Sequence, residues 1–202
     1  MARRFILASA SPARLATLRS AGLSPEVQVS GFDESLIAIE DTAELVQALA
    51  AAKAHEVADR VDGDALVLGC DSLLEFDGVG LGKPADADEA VRRWRTVSGR
   101  SGVLHTGHTL LVVTDGEVSV ASTQLASATV YFAELADTEI VDYVASGEPL
   151  AVAGGFTIDG LGGWFIERIE GDHHTVVGLS LPLLRRLLAD AGVTLAELGW
   201  PR

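Results

Sequence analysis

The chain is poor in cysteine, in basic side chains and in long apolar runs, and each shortage closes off a class of protein. Its 202 residues include one cysteine, Cys70. No disulfide framework can form within the chain, and a reducing cytoplasm is the expected location. Lysine and arginine number 15 against 29 acids, a formal charge of −14, which argues against nucleic acid or an acidic membrane as partner. A small anionic ligand is compatible with that balance, since a few local cations and a metal ion suffice to meet it. No stretch approaches the ~20 apolar residues of a membrane span. Residues Met1–Ala10 mimic an export signal, but their apolar core is shorter than the ~7–15 residues such signals use, so export is not expected. The chain also lacks internal repeats, low-complexity segments and linkers.

What is present describes a folded α/β protein. Hydrophobic residues make up 48% of the chain and charged residues 22%, which excludes a disordered polymer. The length suits a single domain over residues 1–202, built as one unit or as two closely joined lobes. Phe5–Ala8 reads as a first strand, followed by a small-residue loop and a helix start with Ser11 as cap and Pro12 in its first position. Strand, small loop and capped helix start form a geometry that offers free backbone N–H groups to a phosphate. Arg14 lies in the first helical turn, where acids are normally favoured. It is either a second anion-binding group or a solvated surface residue.

Further along, Val27–Val29 suggests a short strand leading to Asp33-Glu34, a pair able to ligate a hard cation such as Mg²⁺ or to stand solvated in a turn. Thr42–Val61 has the pattern of a helix capped by Thr42, with Val46, Leu49, Ala50, Ala54, Val57 and Val61 on one stripe. Lys53 falls inside that stripe, so it either snorkels to solvent or meets a negative partner. Ala65–Cys70 reads as a buried strand delivering Asp71 at or near its end. After the Asp77-Gly78 turn, the chain returns with Lys83 held extended by Pro84. An acid and an ammonium then face one another, as a ligand site or as an ordinary salt bridge.

The remaining elements are a helix over Asp86–Val97 with Trp94 inward, and a hairpin pairing Leu110–Thr114 with Val118–Val120. Strand-like alternation over Ser122–Ala133 and a short helix over Asp137–Ser146 come next. Trp164–Ile169 reads as a strand, and Leu181–Ala191 as a final amphipathic helix. Ahead of that strand, Ala153–Trp164 holds five glycines in ten residues but no dinucleotide fingerprint or P-loop, although backbone can approach a ligand closely there. His173 and His174 sit in a segment without zinc-ligand spacing and read as surface loop histidines.

Taken in order, the motifs resemble the Maf family of nucleoside triphosphate pyrophosphatases. They are Leu-Ala-Ser-Ala-Ser-Pro-Ala-Arg over 7–14, Asp33-Glu34, Leu49–Ala54, Gly69–Ser72 and Leu81–Pro84. Ser98–Arg100, Gly147–Pro149, Ala153–Phe156 and Val177–Leu179 complete the set, so the likeness spans Ile6 to about Leu188. The resemblance implies a mixed α/β sheet in two lobes with a central cleft, similar to inosine triphosphatase. It implies hydrolysis of the α–β phosphoanhydride, giving a nucleoside monophosphate and pyrophosphate, with Mg²⁺, Mn²⁺ or another divalent cation. Ser9, Arg14, Lys53 and Lys83 match phosphate-binding residues, Glu34 and Asp71 match metal-site carboxylates, and Asp71 and Lys83 match the catalytic pair. Asp159 stands where the branch acting on dTTP and UTP carries Gln. A carboxylate there suits a base with N–H donors or a methylated, cationic guanine. The chain departs from the family pattern at Ala13, Gly102 (with His105 displaced) and Val152. Family members are also described as septum-formation inhibitors, so binding division proteins without catalysis is the alternative, and a nucleotide sensor without turnover is a third. A homodimer is compatible with the resemblance.

Overall fold

Residues 3–201 are described by a computed structural model, in which helices cover both faces of one mixed sheet. In chain order the elements begin with β1 (Phe5–Leu7), α1 (Pro12–Ser20), β2 (Glu26–Val27), α2 (Thr42–Ala58), β3 (Ala65–Phe76) and β4 (Val79–Leu81). They continue with α3 (Ala87–Val97), β5 (Ser101–Thr114), β6 (Glu117–Phe132), α4 (Asp137–Ala145), β7 (Ile166–Glu170), α5 (His173–Val177) and α6 (Leu181–Asp190). The strand order is β2-β1-β3-β5-β6-β7, and β4 pairs with β3 as well. β1 runs parallel to β2 and β3, and every other ladder is antiparallel. The expected mixed α/β fold is present.

Period-2 alternation sends successive side chains to opposite faces of the sheet. Phe5, Leu7, Leu66, Leu68 and Leu110 pack with Leu183 and Leu187 of α6 on one face. Ile6, Ala8, Val67 and Leu111 pack with Ala54, Val57 and Ala58 of α2 on the other. Toward the opposite end of the long strands, Leu74, Phe76, Leu104 and Phe132 meet Trp94 of α3 and Tyr143 of α4. One sheet thus runs through two lobes, the first with an apolar core on each face and the second with one more.

Two glycines decide how close α2 comes to that sheet. A Cβ on Gly69 would lie 2.3 Å from the Ala50 carbonyl oxygen, and one on Gly107 would lie 2.2 Å from that of Val46. Both distances are far inside van der Waals contact, so the helix backbone rests directly on β3 and β5. The stripe expected on α2 is buried as read, but the helix ends at Ala58 and its cap is Asp41, whose Oδ1 accepts from the Glu44 amide at 2.8 Å. Thr42 is buried against Gly80 instead.

Several other expectations need correction. The hairpin around Asp115-Gly116 is real, with φ of 54° and 83° at its turn. It is the tip of a ribbon far longer than the sequence suggested, because β5 and β6 pair from Ser101↔Tyr131 to Thr114↔Glu117. The second strand is only Glu26–Val27. Trp164 belongs to a 3₁₀ turn ahead of β7 and is 86% exposed. His173 and His174 open a short helix, with Asp172 accepting from the His174 amide as its cap.

Candidate functional site

The site forms where one edge of β3 loses its neighbours. β5 covers the other edge continuously from Ala65 to Glu75. On the open edge, β1 pairs only with Leu66–Leu68, and β4 only with Leu74–Phe76. Residues 69–73 therefore face a gap between a strand that has left and one that has not yet joined. Asp71 lies in this gap, in the middle of a 12-residue strand, and not at a strand end as the sequence suggested. The strand continues because Ser72–Glu75 keeps pairing with β5 after β1 has turned away.

Asp71 points to the α2 face, on the same side as Gly69, and is 8% exposed. The close seat of α2 places Lys53 over it, and Lys53 Nζ donates to Asp71 Oδ1 at 2.5 Å. The same ammonium lies 2.7 Å from Glu34 Oε1. Glu34 comes from a 3₁₀ turn over Glu34–Leu36 whose cap is Asp33. The neighbouring Asp33 spends its carboxylate on Ser35, by amide and hydroxyl, so only one acid of that pair faces Lys53. Burial raises the Asp71 carboxyl above the usual carboxylate range, and the cations Lys53 and Arg14 offset only part of that. Lys53 meets negative partners and does not snorkel out.

Both carboxylates converge on the Lys53 ammonium, so a hard cation held by the pair would have to displace or share with it. Such an ion typically takes one or two carboxylates and fills its shell with water and phosphate. The residues present fit such an ion. Among the described residues no group of three or more His, Cys, Asp or Glu could hold a metal by itself, so phosphate oxygens would have to complete the coordination.

On the far side of the gap, Ser11 caps α1 through its hydroxyl, 3.4 Å from the Arg14 amide. The Arg14 guanidinium turns into the gap. Its Nη1 donates to the Cys70 carbonyl at 2.8 Å and to Ser9 Oγ at 3.0 Å. Nε donates to the Gly178 carbonyl at 2.8 Å, and Nη2 to Ser72 Oγ at 3.0 Å. A guanidinium thus satisfies an edge carbonyl that a neighbouring strand would otherwise have paired, which explains an arginine in a first helical turn. Ser9 Oγ accepts from Arg14 and from the Ser11 amide, which leaves its own proton free to donate outward.

Lys83 is exposed. The β4 ladder, with Phe76↔Val79 and Leu74↔Leu81 as its ends, carries the chain back toward Ser72 as it approaches Lys83. Asp71 pairs with Lys53 and not with Lys83. Asp159 is also exposed, in a bend beside the glycine-rich stretch, and none of the contacts above reaches it. The glycines of that stretch serve the protein's own groups: a Cβ on Gly162 would lie 2.4 Å from the Tyr143 hydroxyl, and one on Gly160 2.5 Å from Glu148 Oε2.

Comparison with known proteins adds the decisive observation. The sequence pattern of the family described as Maf-like protein matches residues 4–191. The chain belongs to the Maf-like family. A Salinispora tropica protein named nucleoside triphosphate pyrophosphatase is 58% identical over 203 residues, covering 98% of this chain and 88% of that one. One of the same name from Streptomyces coelicolor is 56% identical, covering 98% and 96%. Another, from Gloeothece citriformis, is 51% identical, covering 96% of both. Among solved structures, the Staphylococcus aureus Ham1 protein overlays with a TM-score of 0.48 at 15% identity, covering 94% of this chain and all of that one. Nothing is drawn from so loose a likeness.

Within this Maf-like chain, Glu34, Lys53 and Asp71 come together, Ser9 and Arg14 come together across the gap, and Asp159 stands apart. Sequence reasoning missed three groups. Ser72 was noticed only as part of a motif, yet it holds Arg14. His108 is fully buried; its Nε2 accepts from the Ser180 amide at 2.8 Å, so Nδ1 carries the proton given to the Thr106 carbonyl at 3.0 Å. Burial pushes that imidazole down to about 4 and keeps it neutral. Glu148 gathers the glycine-rich stretch. His108 lies in a small and polar stretch ahead of the strand read from Leu110 and gave no signal; Ser72 and Glu148 gave none beyond their motifs.

Proposed function

We propose that this Maf-like chain is a nucleoside triphosphate pyrophosphatase, acting as one domain and cleaving the α–β phosphoanhydride to a monophosphate and pyrophosphate. The observation that carries the reading is the convergence of Glu34, Lys53 and Asp71 within 2.7 Å contacts beside the Ser9–Arg14 pair. In this reading the triphosphate lies along the open edge of β3. Ser9 donates its free proton to a phosphate oxygen, and Arg14 contributes its charge and one uncommitted N–H. Lys53 and Lys83 neutralise charge that grows on the leaving pyrophosphate.

Asp71 orients the attacking water and takes its proton. A carboxylate whose pKa is raised by burial is a stronger base than one in water, and the Lys53 ammonium beside it keeps it ionised. A divalent cation such as Mg²⁺, held by Glu34 and Asp71, would supply the remaining neutralisation of phosphate charge when bound. Asp159 is the candidate for contacting the base, with modified guanine and dTTP or UTP as the two substrate classes. The catalytic reading places the protein with soluble nucleotides in the cytoplasm.

A screen for pyrophosphate release over canonical, deaminated and methylated triphosphates, with and without Mg²⁺, tests this. Metal-dependent release from at least one class is expected. No release from any of them would overturn the reading in favour of a protein-binding role in division.

A further inference from the structure

The hydroxyl of Ser72 sits on the opposite sheet face from Asp71 and outside the Glu34–Lys53–Asp71 cluster. Its surroundings fix the direction of every proton. Thr106 Oγ1 donates to the Thr175 carbonyl at 2.9 Å, and a carbonyl can only accept. The single Thr106 proton is therefore spent, and the 2.9 Å contact between Ser72 Oγ and Thr106 Oγ1 must run from Ser72 to Thr106. With its proton given away, Ser72 Oγ faces Arg14 as an acceptor and receives Nη2 at 3.0 Å. The chain Arg14 → Ser72 → Thr106 → Thr175 has one possible polarity. Thr106 and Thr175 are fully buried, so water cannot easily substitute for a missing member.

The same wall is tight on its other side. Gly178 has φ of 111°, and a Cβ there would lie 3.2 Å from Arg14 Nε and 3.4 Å from Ser72 Oγ. Its carbonyl takes the Nε proton. Four of the five guanidinium N–H groups are thus committed to protein acceptors, and one on Nη2 remains. The guanidinium is planar, so the direction of that last N–H is set by all four contacts together, and Ser72 is the one that sits on the same nitrogen.

We infer that Ser72 is a positioning residue for the reaction: anchored through Thr106 to Thr175 of α5, its hydroxyl aims the last free N–H of Arg14, and the Ser9 hydroxyl beside it, into the gap at the edge of β3. This role rests on the pyrophosphatase reading above. It needs a group that accepts from Arg14 and donates to Thr106 at once. A hydroxyl does both; a methyl does neither, and a thiol does so only weakly.

The test is a double-mutant cycle on pyrophosphate release, with Ser72→Ala, Arg14→Lys, the double variant and Ser72→Thr. The wild type is assayed first on the triphosphate class it turns over best. Ser72→Ala is expected to lower kcat about tenfold or more, with a smaller change in KM, because aim is lost and charge is kept. In the Arg14→Lys background the same change should cost less than about twofold, since the group it positions is gone. Ser72→Thr, which keeps the hydroxyl, should recover most of the activity. Thermal melts of all four proteins separate this pattern from simple unfolding. Equal, additive losses in both backgrounds, or a Ser72→Thr variant no better than Ser72→Ala, would overturn the role while leaving the pyrophosphatase reading intact. A folded wild type releasing no pyrophosphate would overturn the reading and this role together.

Discussion

Two carboxylates, Asp71 buried in the edge gap and Glu148 under the glycine-rich stretch, are held in opposite ways by their surroundings. Glu148 accepts from the Tyr143 hydroxyl at 2.9 Å, the Thr157 hydroxyl at 2.5 Å and the Leu161 and Gly162 amides at 2.9 Å each. Burial alone would raise its carboxyl, but those donors carry it below the usual range. Oε1 takes three of these donors and Oε2 one, so most of its accepting capacity is spent inside the protein. Among the described residues the Asp71 carboxylate has one hydrogen-bonding partner, the Lys53 ammonium, and burial leaves its carboxyl raised. Saturation by neutral donors makes a clamp, whereas burial beside a single ammonium is the setting that the proposed base at Asp71 requires.

The sharpest way to break that contrast is to remove each charge in turn. Asp71→Asn should lower pyrophosphate release by about 10²-fold or more while the fold persists; turnover near that of wild type would remove Asp71 from the chemistry. Glu148→Ala should do the reverse. It strands two hydroxyls and two amides, costing about 2 kcal/mol or more of stability in urea unfolding, with turnover per folded molecule within about tenfold of wild type. A Glu148→Ala protein as stable as wild type would show that the clamp is decorative.

Smaller effects refine the picture. Gly107→Ala forces a methyl against the Val46 carbonyl and should destabilise by about 1–3 kcal/mol. Activity should fall alongside, because α2 carries Lys53 away from Asp71 as it is pushed off the sheet. Unchanged stability would mean that α2 yields freely.

His108 gives the most gradual effect. Its folded pKa of about 4 lies below its unfolded value near 6.5, so the unfolded chain binds more protons between them. Stability should therefore decline as pH falls from about 6.5 toward 4, by up to about 3 kcal/mol, and level off in this contribution below that. A His108→Gln variant should lose this part of the slope; an identical pH profile would exclude His108 as its source.

These outcomes bear on what the sequence could disclose. Lys53 was legible because α2 obeys a 3.6-residue period, and a lysine on its apolar stripe demands an explanation. Asp71 and Glu34 were legible as motif residues, though not as partners of one ammonium. The gap itself was not legible. It exists because β1 and β4 share one edge of β3 without meeting, and which strands share an edge is settled by pairings far apart in sequence. The length of β5 was hidden for a related reason: Ser122–Ala133 read as strand-like, but His105–Thr109 carries small and polar residues that pair only because their neighbours do. The hydroxyl chain through Ser72, Thr106 and Thr175 joins three segments with no local signature.

The most direct measurement compares pyrophosphate release, per folded molecule, by wild type, Asp71→Asn and Glu148→Ala, with melting curves on the same preparations. A catalytic base in the edge gap predicts that Asp71→Asn keeps its melting transition and loses about 10²-fold in kcat, while Glu148→Ala loses stability and keeps most of its turnover. An Asp71→Asn protein that releases pyrophosphate as fast as wild type would contradict the assignment.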